Sequence, residues 1–328
     1  MIGVTRWAAV AAAIVLGLWS GIATAGTETI DLAFAGDERP VRVHGDLAAK
    51  GRPVVFVIHG GGGNIEGVVR ESGMDALADE KGFLAVYPSG VPGGANGTNL
   101  TWNTGECCGA AKERNSDDPA YFSAVIDELA RRYAIDETRV YATGISNGAM
   151  MSYRLACELS TRIAAVAPVS GVLNAPCEPA MPVAILHIHG TADRCATYRS
   201  GSCGGCFNEF LQSLGVKVPQ CSNQICVGAE ESVAQWAARN GCAASREVVY
   251  EKGATTCLKF QGCPSAGTVE LCRIEGGGHT WAGGVHSLKA CTDDPNGRVC
   301  RLWEAIVGKI PNFPASAEMW EFFARHAR

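Results

Sequence analysis

Arg139-Val140-Tyr141-Ala142-Thr143-Gly144-Ile145-Ser146-Asn147-Gly148-Ala149-Met150-Met151 passes from strand chemistry to helix chemistry across a single serine. Arg139 to Thr143 is short, β-branched and aromatic, which suits a strand. From Met150 onward the composition is helical. Between them, Gly144-Ile145-Ser146-Asn147-Gly148 matches G-x-S-x-G. The motif alone is weak in a chain with 40 glycines. Its setting gives it weight. A strand, a sharp turn and a helix form an elbow that lifts a serine hydroxyl clear of the backbone, and the flanking glycines allow the turn without Cβ clashes. Ser146 also falls at a helix N-terminus, where free N–H groups and the helix dipole favour developing negative charge. The competing reading is a glycine-rich structural turn.

The same alternation continues on both sides. Residues 29–34 and 40–44 suit an antiparallel opening hairpin. Pro53 to Ile58 is a continuous apolar run, as in a strand buried on both faces. A glycine-rich turn and a helical stretch to Lys81 follow, then a second buried-type strand over 83–87. Asp117 or Asp118 caps the clearest helix, in which Tyr121, Val125, Leu129 and Tyr133 recur every four residues. Further strands are expected over 163–169, 182–187 and 268–274, and helices over 232–240 and 317–326. This order indicates an α/β chain: a mostly parallel sheet with helices on both faces. Two cysteine-bearing stretches break the rhythm, about 199–230 and 285–312. They read as loop insertions on one domain.

The residues that complete a serine's chemistry lie at strand ends. His59-Gly60-Gly61-Gly62-Gly63 follows a buried strand, and its glycines let backbone N–H groups approach a ligand. The Lys-Ser/Thr ending of a phosphate loop is absent. An oxyanion hole is the better reading, with one donor from the Asn147 N–H and the second from Gly61 or Gly62. A serine also needs a base, and the base an orienting acid. His279 follows three glycines after one strand, and Asp193 follows another. His59, His187 and His189 read as hydrogen-bonded structural histidines, and Asp117, Asp118 and Asp136 as caps or turn residues.

Taken together, these segments resemble the secreted polyhydroxybutyrate depolymerases and feruloyl esterases of the α/β-hydrolase superfamily. The resemblance rests on the His59 to Asn64 loop, Trp102-Asn103 through Cys107-Cys108-Gly109, and Arg139 to Met151. It continues through His189-Gly190-Thr191-Ala192-Asp193 with Tyr198, Gly277-Gly278-His279-Thr280-Trp281, and the tail from Trp320 to His326. It implies an α/β-hydrolase fold and a Ser146, Asp193, His279 triad, in the chain order of that superfamily. The implied activity is hydrolysis of carboxylic esters, with a soluble or polymeric ester as partner and no cofactor or metal. Trp102, Tyr198 and Trp281 are candidate surfaces for an apolar acyl group or a sugar, or else core residues. Ala282 stands where a proline commonly follows the tryptophan, and Arg194-Cys195 replaces a more apolar pair. A non-catalytic, disulfide-rich binding or envelope protein on the same fold is the alternative.

Composition sets the outer limits. The chain has 328 residues, 47% hydrophobic and 19% charged, which describes a globular protein with room for a core. A net charge of −5 offers nothing to nucleic acid. Residues 1–25 read as a signal peptide: Arg6, an apolar run from Trp7 to Trp19, and Ala23-Thr24-Ala25 before Gly26. Residues 26–328 then form one catalytic domain with no membrane anchor. The 15 cysteines fit export to an oxidising compartment, and the odd count leaves at least one thiol unpaired or paired outside the chain. Disulfides are preferred to a zinc site at Cys203, Cys206, Cys221 and Cys226. Cys291 is expected to pair with Cys300, and the neighbours Cys107 and Cys108 with different partners.

Overall fold

The computed structural model describes residues 25–94, 96–202, 205–216 and 225–328. Ten strands form one mixed sheet: β1 (Gly26–Phe34), β2 (Asp37–Gly45), β3 (Val54–Ile58), β4 (Leu84–Pro88), β5 (Val140–Ile145), β6 (Ala165–Val169), β7 (Ala184–Gly190), β8 (Arg246–Lys252), β9 (Thr255–Phe260) and β10 (Val269–Ile274). Their spatial order is β1-β2-β4-β3-β5-β6-β7-β10-β9-β8. The centre from β4 to β10 is parallel, and an antiparallel hairpin closes each edge.

Successive residues of the central strands feed two separate cores. Phe56, Ile58, Val86, Ala142, Val166 and Ile185 face one apolar cluster. Val55, Val57, Tyr87, Tyr141, Ala165 and Leu186 face the other. Helices α3 (Asp118–Tyr133), α4 (Asn147–Glu158) and α6 (Ala229–Arg239) cover the first face. Helices α1 (Ile65–Ser72), α2 (Met74–Lys81) and α8 (Ala315–Phe323) cover the second. The strands read as continuous apolar runs because both of their faces are covered. The single helical stretch expected before Lys81 is broken at Gly73, whose φ of 61° ends α1 and starts α2.

Both insertions contain helices that the sequence reading did not assign: α5 (Gly205–Ser213) and α7 (Arg298–Val307). They pack on each other in a small third cluster of Cys206, Phe210, Ile306 and Val307, with Phe210 and Trp303 edge to face at 4.9 Å. Each apolar face is covered by the other insertion, so neither segment alone shows a core pattern. The hairpin β8–β9 was also missed. Its outer strand is an edge exposing Val248 and Val249, and it lacks a buried face to give it period-2 contrast.

The cysteines pair as 107–108, 157–177, 195–206, 242–263, 257–272 and 291–300. Cys291 and Cys300 pair as expected. Cys107 and Cys108 bond to each other, which corrects the expectation of different partners: they share one turn, in which the Thr104 N–H and hydroxyl both donate to Cys107 O. Cys206 bonds to Cys195 and Cys226 is also disulfide-bonded, so neither is available as a zinc thiolate. Cys203, Cys221 and all but the last residue of the expected signal peptide lie outside the described residues.

Candidate active site

The elbow forms where β3, β5 and β6 deliver their C-terminal ends. Ser146 has φ 58° and ψ −121°, between β5 and α4. A positive φ in a residue with a Cβ is strained by roughly 1–3 kcal/mol and persists only where its surroundings enforce it. The flanking glycines show that enforcement. A Cβ on Gly148 would lie 2.2 Å from the Ile58 carbonyl oxygen, and one on Gly144 would lie 2.6 Å from the same atom. The end of β3 therefore passes too close for any side chain at either position.

The His59–Gly63 loop lies directly over this turn. A Cβ on Gly61 would touch the Asn147 side chain at 3.4 Å. The Gly62 N–H donates to Leu100 O at 2.8 Å, so this glycine is committed to structure. Of the two candidate loop donors, Gly61 remains, beside Asn147 at the first turn of α4. His59 is buried, and burial lowers its pKa to about 4. Its Nε2 accepts from the Gly90 N–H and its Nδ1–H donates to Gly60 O, which fixes a neutral tautomer with a structural role.

Asp193 and His279 come together from the ends of β7 and β10. The His279 Nδ1–H donates to Asp193 Oδ2 at 2.8 Å, leaving Nε2 as the free nitrogen. Asp193 Oδ1 accepts from the Cys195 and Ala196 N–H groups at 2.8 and 2.9 Å. Burial disfavours the carboxylate, but the His279 charge and the bonds from His189 and His279 outweigh it and hold its pKa below the usual range. Burial also disfavours imidazolium at His279. The charge and hydrogen bond of Asp193 prevail, with a smaller push from Glu71, and raise the His279 pKa above the ordinary 6.5.

Behind the acid runs a buried chain of hydrogen bonds that the sequence reading only partly foresaw. The Tyr153 hydroxyl meets His187 Nδ1 at 2.8 Å, and His187 Nε2 meets His189 Nδ1 at 2.9 Å. His189 Nε2 lies 2.7 Å from Ala196 O and 3.2 Å from Asp193 Oδ2. Both of those partners are acceptors, so Nε2 carries the proton, and one proton per ring satisfies the whole chain. His187 and His189 are thus the structural histidines expected, and they help to orient the acid.

A cavity of about 330 Å³ gathers Ser146, Asn147, His279, Gly60 and Gly61. Val68, Met150, Val307, Phe207 and Trp303 supply apolar wall, and the Cys107–Cys108 and Cys195–Cys206 disulfides border it. The second insertion supports the histidine directly, since the His279 N–H donates to Val307 O at 2.7 Å. Phe207 and Trp303 come from the insertions, and no local sequence signal marked them.

The three aromatics expected at the substrate surface are core residues instead. Trp102 has no solvent exposure; its Nε1–H donates to His59 O at 3.0 Å. Its backbone exchanges two hydrogen bonds with the Asn147 side chain, at 2.8 and 3.0 Å. Trp102 therefore clamps the glycine loop to the elbow. Trp281 is buried against α8, with its Nε1–H on Ser316 Oγ, and Tyr198 is buried against the first core. All three follow or precede site motifs because they anchor those loops. Asp117 caps α3, as expected, but its neighbour Asp118 is a buried ion-pair partner of Arg39 at 2.8 Å and accepts from the Asn103 N–H. It pins the loop that carries Cys107 and Cys108.

Residues 43–209, just over half of the chain, match the family described as Esterase PHB depolymerase. The chain belongs to that family. It is a carboxylic ester hydrolase with an α/β-hydrolase fold. The esterase is 30% identical to NocK of Nocardia uniformis subsp. tsuyamanensis over 80% of its own length and 76% of that protein's. It is also 30% identical to feruloyl esterase B of Piromyces equi, over 54% of its own length and 31% of that longer protein. Among solved structures, the acetyl xylan esterase from Aspergillus awamori superimposes with a TM-score of 0.54 at 15% identity. That match covers 81% of this chain and 98% of the other, and it shows the shared fold.

Proposed function

We propose that this protein is a secreted serine esterase with Ser146 as nucleophile, His279 as base and Asp193 as orienting acid. The observation that carries this reading is the buried Asp193–His279 hydrogen bond opening on the cavity that holds Ser146 on a strained elbow. His279 Nε2 takes the proton of the serine hydroxyl as Oγ attacks the ester carbonyl. The Gly61 and Asn147 N–H groups face the developing oxyanion, each worth roughly 3–4 kcal/mol in comparable sites. Imidazolium then protonates the departing alcohol. A water activated by the same nitrogen releases the acid and restores the serine.

The apolar walls suit an acyl chain or an aromatic acid, and the relatives named for feruloyl and acetylxylan ester cleavage support esters of that type. Polyhydroxyalkanoate-type esters are the other substrate class within this reading. Residues 26–328 act as one catalytic domain after removal of the signal peptide, and the six disulfides among described residues agree with an oxidising destination. No helix among the described residues is long and apolar enough to cross a membrane.

A fluorophosphonate probe tests the assignment. The purified protein is expected to be labelled at Ser146 and to hydrolyse p-nitrophenyl esters. A screen of methyl ferulate, acetylated xylan and polyhydroxybutyrate film then ranks the substrate classes. A folded protein that is neither labelled nor active would leave a binding role on the same fold.

The raised pKa of His279 has a consequence for rate. The base must be neutral, so kcat/KM for p-nitrophenyl acetate should fall as pH drops through that pKa, with the midpoint above 6.5. A profile flat from pH 5 to 8 would exclude a histidine base.

A further inference from the structure

Helix α1 carries one residue that contradicts its own pattern. Ile65, Val68, Glu71 and Ser72 form its buried stripe, and Glu71 occupies a position where burial favours an apolar side chain. Glu71 is only 7% exposed and lines the same cavity as Ser146 and His279. It is the only carboxyl group on that wall among the described residues. Its side chain makes no hydrogen bond and no ion pair with them. The neighbouring Arg70 donates to Ser287 O and acts on Glu71 only through its charge. Backbone on the far side closes over Glu71: the Val285 N–H donates to Glu71 O, and a Cβ on Gly284 would lie 1.9 Å from that oxygen. The carboxyl oxygens of Glu71 are not sealed in the core but open on the cavity; a carboxyl on an otherwise apolar helix stripe is a local conflict that proteins retain chiefly where function requires it. Burial pushes the pKa of this carboxyl up to about 8 against the smaller pull of the His279 and Arg70 charges; when protonated it both donates and accepts.

We propose that Glu71 is a specificity-determining residue: its carboxyl hydrogen-bonds an oxygen carried by the ester away from the scissile bond, and so selects oxygenated esters over plain alkyl ones. This inference rests on the Ser146-centred reading. Elsewhere on that wall Val68 and Val307 offer no polar side chain, Trp303 can only donate, Asn64 Oδ1 is taken by the Gly67 N–H, and Asn174 Nδ2 donates to Thr104 Oγ1. The carboxyl is therefore the group that can tell a hydroxylated or otherwise oxygen-bearing substrate from its hydrocarbon counterpart.

The test uses two matched pairs. p-Nitrophenyl butyrate against p-nitrophenyl 3-hydroxybutyrate reports on the acyl side. Ethyl butyrate against 2-hydroxyethyl butyrate reports on the alcohol side. In Glu71→Leu the preference for the hydroxylated member of at least one pair should fall by about five- to tenfold, the worth of one hydrogen bond to a neutral group. Any change that comes through loss of the Glu71 push on His279 should be shared by both members of a pair and so leave their ratio unaltered. Glu71→Gln, which still donates and accepts, should keep most of the preference. Glu71→Leu should also raise the Tm, because leucine suits the buried stripe of α1. Glu71→Met serves if the leucine variant does not fold. Unchanged preference in both pairs, or an equal loss on all four substrates, would overturn the proposal. Failure of the wild-type protein on all four esters would instead sink the Ser146 reading, so the two failures are distinct.

Discussion

Ser146→Ala should lower kcat/KM for p-nitrophenyl esters by at least about 10⁴-fold, the loss expected when the nucleophile is removed from a unit that acts together. The protein should remain folded with nearly unchanged Tm. The reason lies in the backbone. The strain at Ser146 comes from a positive φ imposed by Gly144 and Gly148 packing against Ile58 and His59. Alanine keeps the same Cβ and so inherits the same strain. Ser146 Oγ makes no hydrogen bond to another described residue, so its removal leaves no partner unsatisfied. Residual hydrolysis from the oxyanion donors and the cavity is expected above the rate in water. Measured rates within tenfold of wild type, on protein shown to be folded by circular dichroism, would remove Ser146 from the mechanism.

Asp193→Asn should cost about 10⁴-fold in kcat, through the tautomer of His279 rather than through collapse of the site. In the wild type, Asp193 Oδ2 accepts the Nδ1–H and keeps Nε2 free to receive a proton. The Cys195 and Ala196 N–H groups hold Oδ1, so asparagine should place its carbonyl oxygen there and its NH₂ toward His279. That NH₂ can only donate, so Nδ1 must become the acceptor and the proton moves to Nε2, where it blocks the base. The same NH₂ would face the Nε2–H of His189 at a position now occupied by two donors. A modest loss of Tm should therefore accompany the kinetic loss. Retention of kcat in this variant would show that the Asp193–His279 bond is structural only.

Much of the site was legible because its motifs sit at strand ends, where local composition changes abruptly. Gly144 to Gly148, the glycine loop after Ile58, and the glycines before His279 are all short-range signals. Each reflects close backbone approach at one point, such as the 2.2 Å that separates a Gly148 Cβ from Ile58 O. Trp102, Tyr198 and Trp281 were harder, because an aromatic residue beside a motif reads equally as substrate surface or as anchor. Burial decides between the two. Gly62 presented the same difficulty, since sequence cannot tell which N–H in a run of glycines is already bound to Leu100 O. Glu71 left a trace that could have been followed: a carboxyl three residues after Val68 on an apolar stripe.

The sequence by itself determined the alternating α/β order, the serine elbow and the residues at the ends of the strands. Those features depend on period, turn chemistry and neighbours within a few residues. Only the tertiary structure decided which donor remains free beside Asn147, which cysteines pair, and that the two insertions cover one another through Phe210 and Trp303. It also brought Glu71 to the wall of the cavity that holds His279, more than two hundred residues away in the chain. These outcomes are contacts between distant segments. Their energies arise from burial and hydrogen-bond satisfaction that no single segment can supply alone.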